Sequence, residues 1–337
     1  MLRAMMKYSR SSLVCCLALA LLSPAGISAD TVENQHAFVH LVFAGDIMLD
    51  LLPGEDLALG KDPFAGFADI FSKADLSIGN LECVVATTGE AIEKPYTFRA
   101  KPAVLDVVKK HFGAVSLANN HTGDFGHAAF LEQLSLLQSQ KLPYFGGGRN
   151  VAEARSPYVF ESRGLRIALL GYNDFKPRQF EAGPNWPGVA WCVDEQIVAD
   201  LKAARTLHHA DLVIPFMHWG WEYEGSNERQ QKLARLMIDN GADVVVGSHP
   251  HVTQGAEYYN GKLIVYSLGN FVFDGFTTPE SNTGWVLRLK LGKSGLLEWD
   301  TAVAKIDERG TPHLDLSVES PSGQAPFAAI QTKKFQP

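Results

Sequence analysis

Between positions 38 and 246 the chain alternates short apolar runs with amphipathic stretches, and that alternation leaves few folds open. Residues 38–44 (FVHLVFA), 76–78, 114–117, 166–170, 212–216 and 244–246 read as strands. Segments 63–74, 102–112, 126–140, 193–207 and 228–240 carry apolar residues at helical spacing. A βαβα rhythm of this kind predicts an α/β layered fold. From about Tyr258 the pattern changes, and 263–267, 285–291 and 297–306 read as successive strands with no helix between them. The widest irregular stretch, 173–188, is rich in Pro, Asn and Gly, which predicts a surface loop near the site. The tail after Leu316 is polar and is expected to fray.

The N-terminus has a different character. Arg3, Lys7 and Arg10 precede a short apolar stretch, LVCCLALALL, and Ile27-Ser28-Ala29 follows Pro24. This reads as a secretory signal peptide cut after Ala29, with an uncleaved anchor as the rival reading. The apolar run is too short for a comfortable membrane span. Two of the four cysteines lie inside it, leaving Cys83 and Cys192, which could form one disulfide. Neither belongs to a CxxC pair, so thiolate metal binding is not expected. A formal charge of -7 argues against a nucleic-acid partner.

In open α/β sheets, ligands bind beyond the carboxyl ends of the strands. Here those ends collect metal-ligating residue types: Asp46, Glu82, Asn120 with His121, His218, and the pair His249 and His251. Residues two apart in extended chain point to the same side, so the pair can hold one cation or two adjacent ones. Each residue alone also has an ordinary reading. His249-Pro250-His251 can be a hydrogen-bonding turn and His218 a buried histidine. Glu82 can be a surface glutamate, and Asp46 a helix cap or turn former. Asn119-Asn120 can be a turn, followed by capping at Thr122 or Asp124.

The segments FAGDIM (43–48), NLE (80–82), LANNHTGD (117–124), HWGWEY (218–223), GSHPHV (247–252) and YSLGNF (266–271) resemble, in order, the capsule-synthesis CapA family. That family is associated with poly-γ-glutamate synthesis and falls within the calcineurin-like metallophosphatase superfamily. The resemblance implies a four-layer α/β/β/α sandwich. Its main domain would span 38–275, strands in 276–318 would complete it, and 319–337 would form a flexible tail.

By the same resemblance Asp46, Glu82, Asn120, His218, His249 and His251 hold two divalent ions (Mn, Zn or Fe), with Glu82 bridging. Asn120 and His121 resemble the superfamily's Asn-His pair, and His121, beside a ligating Asn120, would face the substrate as general acid or transition-state stabiliser. The superfamily's first motif, Asp-x-His, departs here to Asp46-Ile47-Met48. The side built from Asn120, His218, His249 and Glu82 therefore looks complete. The side built from Asp46, Glu82 and His251 lacks a histidine. Arg99 is a candidate anion contact, and Tyr223 and Asn270 are candidates for the rim. Two functions fit. One is an extracytoplasmic metal-dependent hydrolase acting on a phosphoester or on poly-γ-glutamate. The other is a non-catalytic assembly or export factor that binds an anionic polymer beside membrane-bound capsule proteins.

Overall fold

The structure is a computed structural model that describes residues 38–176 and 178–324. The signal-peptide expectation falls outside the described residues. Two sheets form the body. In the first, Val39–Ile47 is central and runs parallel to Leu76–Leu81, followed outward by Ala114–Ser116 and Tyr144–Phe145. Its other flank pairs antiparallel with Thr283–Gly292, then Gly295–Ile306 and Pro312–Asp315. The second sheet runs Thr253–Tyr259, Lys262–Leu268, Val244–Ser248, Leu212–His218, Leu165–Asn173, Tyr158–Ser162. Its four inner strands are parallel.

Strand periodicity explains how the layers stack. Successive side chains point to opposite faces, and parallel strands covered on both faces are apolar on both. Leu212, Ile214 and Phe216 pack between the sheets, against Val39, Leu41 and Phe43. Their neighbours Val213 and Met217 face the other way, onto Ile197, Leu201, Leu233 and Met237 of the helices Asp194–Thr206 and Glu228–Asp239. The first sheet is covered likewise by Val104, Leu105 and Val108 of Val104–His111 and by Phe130, Leu134 and Leu137 of Gly126–Gln140. The result is the expected four-layer α/β/β/α sandwich.

Several details differ from expectation for local reasons. Leu51–Ala58 is a helix that the apolar pattern did not announce. Pro53 sits in its first turn, where the missing N–H would have no intrahelical partner anyway. The expected helix at 63–74 divides into a 3-10 turn, Ala65–Phe67, and a short helix, Ala68–Ser72. The tail is ordered further than expected. Ser322–Gln324 pairs with the outer part of Gly295–Ile306, where an unpaired edge offers backbone partners. Cys83 and Cys192 are buried free thiols rather than a disulfide. Burial pushes the Cys83 thiol up to about 12, so it stays protonated and unreactive.

Candidate metal centre

The parallel strands of both sheets deliver their carboxyl ends to one place. Asp46 lies near the end of the central strand, where a register shift between Ala44 and Asp46 interrupts pairing with Leu76–Leu81. Such an irregularity re-aims a side chain. Gly45 makes it feasible, because a Cβ there would stand 1.9 Å from the Gly269 carbonyl oxygen. Asp46 is thus part of a strand, not a helix cap. It is fully buried, and its carboxylate accepts hydrogen bonds from Asn80 Nδ2 at 2.8 Å and from the backbone N–H of His249 at 3.1 Å.

Glu82 follows Leu76–Leu81 directly. It is fully buried, and neither carboxylate oxygen has a hydrogen-bond partner. Burial first, and then the Asp46 charge, raises its carboxyl well above the ordinary range. His249, also fully buried, has neither ring nitrogen paired. Its ring lies between Phe175, 3.8 Å away between centroids, and His218, 4.5 Å away. His218 Nε2 lies 2.6 Å from Asn120 Oδ1 and 3.4 Å from Glu82 Oε1, so the three converge. The other ring nitrogen of His218 is 3.1 Å from Asn80 Nδ2. Ligand atoms of Glu82, His249 and His251 lie within 4.8 Å of one another, and so do those of Asp46, Glu82 and His218. The two groups share Glu82, and because His251 Nδ1 also lies 3.7 Å from Asp46 Oδ2 and the His218 and His249 rings stand 4.5 Å apart, these side chains form one continuous cluster.

Burial dominates the electrostatics. It holds His218 and His249 well below the ordinary imidazole range, and neighbouring imidazoles add to the effect. Both rings are therefore neutral, the form that ligates a metal. An unpaired buried carboxylate and imidazole are costly to keep. All-nitrogen and oxygen donors around an unsatisfied, shared carboxylate suit divalent cations.

His121 stands beside this cluster and is buried. Its Nδ1 lies 2.7 Å from Asp124 Oδ2, and Lys94 Nζ reaches Asp124 Oδ1 at 2.5 Å and the Asn120 carbonyl at 3.0 Å. Asp124 also accepts the Phe98 N–H, so it anchors a loop and a histidine together rather than capping a helix. Asn270 is not at the rim. It is buried, its Oδ1 lies 2.8 Å from His251 Nδ1, and its amide donates to the Ser281 carbonyl, so it orients that ring. Tyr223 is exposed at the rim, 6.4 Å from the His251 ring. Arg99 does not reach the centre. Its guanidinium donates to the Thr88 and Gly89 carbonyls and lies 4.2 Å over the Phe125 ring, which together satisfy it locally. Met48 turns its sulfur to the Asp50 N–H at 3.1 Å and is buried in the helix-side core.

Asn80, Lys94, Asp124 and Phe175 join the site without having been singled out for these roles. For Asp124 the signal was present, as the carboxylate three residues after His121. Phe175 belongs to the stretch 173–188 expected as a loop near the site, whereas Lys94 comes from a loop that nothing in local spacing marks.

Comparison with known proteins identifies the family and a likeness of fold. The chain is 34% identical over 264 residues to the "PGA biosynthesis protein CapA" of Bacillus subtilis, covering 76% of this chain and 69% of that one. It is 31% identical to the "Capsule biosynthesis protein CapA" of Bacillus anthracis, covering 83% and 70%. Among solved structures, a phosphatase from Mycoplasma pneumoniae superposes with a TM-score of 0.51 at 12% identity, covering 79% of this chain and 93% of that one, a likeness of fold. Residues 40–275 match the family described as bacterial capsule synthesis protein PGA_cap, and the chain belongs to that family.

Proposed function

We propose that this protein is a two-metal-dependent hydrolase of capsule or poly-γ-glutamate biosynthesis, working beyond the cytoplasmic membrane. The observation that carries the reading is the buried Glu82 carboxylate, unpaired and central to Asp46, Asn120, His218, His249 and His251. Those six residues would hold the cations. Once bound, divalent cations supply Lewis-acid polarisation of the scissile group and acidify water.

The chain's own groups do the rest. His121, with Nδ1 held by Asp124, is placed to present Nε2 to a departing oxygen or nitrogen and to give it a proton. Asn80 fixes Asp46 and His218 relative to each other, and Asn270 fixes His251. Phe175 covers His249 and limits water access from that side. The N-terminal basic and apolar segments support export.

The test is metal analysis of the mature protein together with hydrolysis assays on phosphodiesters and poly-γ-glutamate with added Mn. Two equivalents of metal and turnover are expected. Metal-free protein that stays inert with Mn would sink the reading.

Met48 favours a second reading specifically, because its sulfur faces the core where the superfamily's motif has a histidine. In that reading the chain is an assembly or export factor that binds capsule polymer without cleaving it. A His218→Ala variant that lost capsule export while binding polymer normally would argue against simple binding.

A further inference from the structure

The loop 86–98 closes over Asp124 at three points. The Ile92 N–H donates to the Asp124 carbonyl at 2.8 Å, the Phe98 N–H to Oδ2 at 2.8 Å, and Lys94 Nζ to Oδ1 at 2.5 Å. The same ammonium donates to the Asn120 carbonyl at 3.0 Å and stands 3.2 Å from His121 Nδ1. The Lys94 side chain is 13% exposed, and that of Asp124 is fully buried.

An ion pair removed from water is tolerated where hydrogen bonds satisfy both partners. Here Asp124 meets Lys94, Phe98 and His121, and Lys94 meets a carboxylate and a carbonyl. His121 Nδ1, 2.7 Å from a carboxylate oxygen, carries the hydrogen, which leaves Nε2 to face the site.

The pairing has an electrostatic consequence. A carboxylate alone behind His121 would set a net negative charge beside a centre proposed to take an anion. A buried charge acts more strongly at a distance than one in water. Lys94 cancels it. Burial and then other neighbours act first at Glu82, His218 and His249, and the Lys94 ammonium further favours the Glu82 carboxylate and disfavours both imidazolium ions. Its field therefore extends to the ligand cluster. Arg99, the cation expected here, is held away by the Thr88 and Gly89 carbonyls.

We propose that Lys94 is a specificity-determining residue, the counter-ion that lets a carboxylate-held His121 face an anionic group. That group is a phosphoryl group or a γ-glutamyl carboxylate. The inference rests on the metallohydrolase reading and assigns acceptance of its substrate's charge to one side chain.

Calorimetric titration of the Mn-loaded protein tests it, with inorganic phosphate above its second pKa, the monoanion dimethyl phosphate, and tri-γ-glutamate as probes. Lys94→Met is expected to weaken phosphate about tenfold and dimethyl phosphate about threefold, because repulsion from an uncovered Asp124 scales with ligand charge. Lys94→Met combined with Asp124→Asn removes both charges and should bind phosphate within about threefold of wild type. Lys94→Gln, which keeps a donor without the charge, carries the same comparison if Lys94→Met does not fold. A loss confined to tri-γ-glutamate would support the proposal, with the polymer's carboxylates as the charge that is met. An equal loss for the two phosphates, no loss with any probe, or a double variant as weak as the single would overturn it. Turnover is scored separately. Wild type that binds anions in a Lys94-dependent way but cleaves neither phosphodiesters nor poly-γ-glutamate would remove the hydrolase reading and leave the counter-ion in place.

Discussion

The carboxylate of Asp46 accepts the backbone N–H of His249, a residue 203 positions further along the chain. That hydrogen bond joins the strand ends of the two sheets at the centre of the site. It also supports His249 at φ 98°, a backbone strain that a non-glycine residue keeps only when its surroundings hold it.

Asp46 therefore has two roles that substitution can separate. Asp46→Asn retains an oxygen to accept the His249 N–H but removes the charge. We expect it to fold and to lose metal, with stoichiometry falling from two equivalents toward one. Asp46→Ala removes the acceptor as well and should also lower stability by about 1–3 kcal/mol, the cost of leaving a buried donor unpaired. Elemental analysis and thermal denaturation of the two variants side by side check both expectations.

Glu82 gives the clearest contrast between metal-free and metal-bound protein. Its folded carboxyl is raised above the ordinary 4.5 by burial and by Asp46, so the native state holds a proton that the unfolded chain releases. Stability of the metal-free protein should therefore fall as pH rises above that value. Glu82→Gln removes the liability and should stabilise metal-free protein at pH 8 by about 3 kcal/mol, the scale of an uncompensated buried charge. With metal present the order should reverse, because the wild type gains binding energy that the variant cannot. Melting curves with and without chelator decide it, and a variant less stable than wild type in chelator would remove the premise.

Much of this centre was legible because parallel strands place their ends together. Asp46, Glu82, Asn120, His218, His249 and His251 each follow an apolar run, so spacing alone aligned them. The misreadings came from side chains whose partners are not written locally. Arg99 looked free for an anion, but two loop carbonyls and the Phe125 ring occupy it. Asn270 looked like a rim residue, but it is sealed beneath His251. Phe175 sits in the stretch 173–188, expected as a surface loop near the site, but its contact with the His249 ring depends on how two distant loops meet. Leu51–Ala58 carries Pro53 and Gly54 in its first turns, residues that interrupt the apolar spacing by which the other helices are read.

His121 is the proposed proton donor, and its Nδ1 is held 2.7 Å from Asp124 Oδ2, with Lys94 Nζ 3.2 Å away on the same side of the ring. His121→Gln should lower kcat by about 10²–10⁴-fold, the usual contribution of a positioned acid, while metal content stays at the wild-type level. The loss should be smallest with p-nitrophenyl leaving groups, which depart without protonation. An equal loss across good and poor leaving groups would assign His121 to binding instead. Asp124→Asn, which keeps a hydrogen-bond acceptor for Nδ1 but not the charge, should fall between wild type and His121→Gln on poor leaving groups.

The last prediction concerns acid tolerance away from the site. Arg309, in the turn after the long strand Gly295–Ile306, hydrogen-bonds Asp56 of the helix Leu51–Ala58 and reaches Glu55 at 3.3 Å. This clamp ties that helix to the far end of the chain, 253 residues away. The Arg309 hydrogen bond is the main reason the Asp56 carboxyl is held down, to about 2, from an ordinary 3.8, with Lys61 adding to it. A carboxyl depressed in the folded state contributes stability that is fully present above its unfolded value and disappears as pH falls through the folded one. The clamp thus matters between roughly pH 4 and pH 2 in changing form, and at full strength above that window. Arg309→Ala should shift the acid-unfolding midpoint to higher pH and flatten the dependence of stability on pH within the window. Circular dichroism followed during acid titration of the two proteins measures it. Overlapping curves would show that the clamp makes no net contribution and that the helix is held by its core contacts alone.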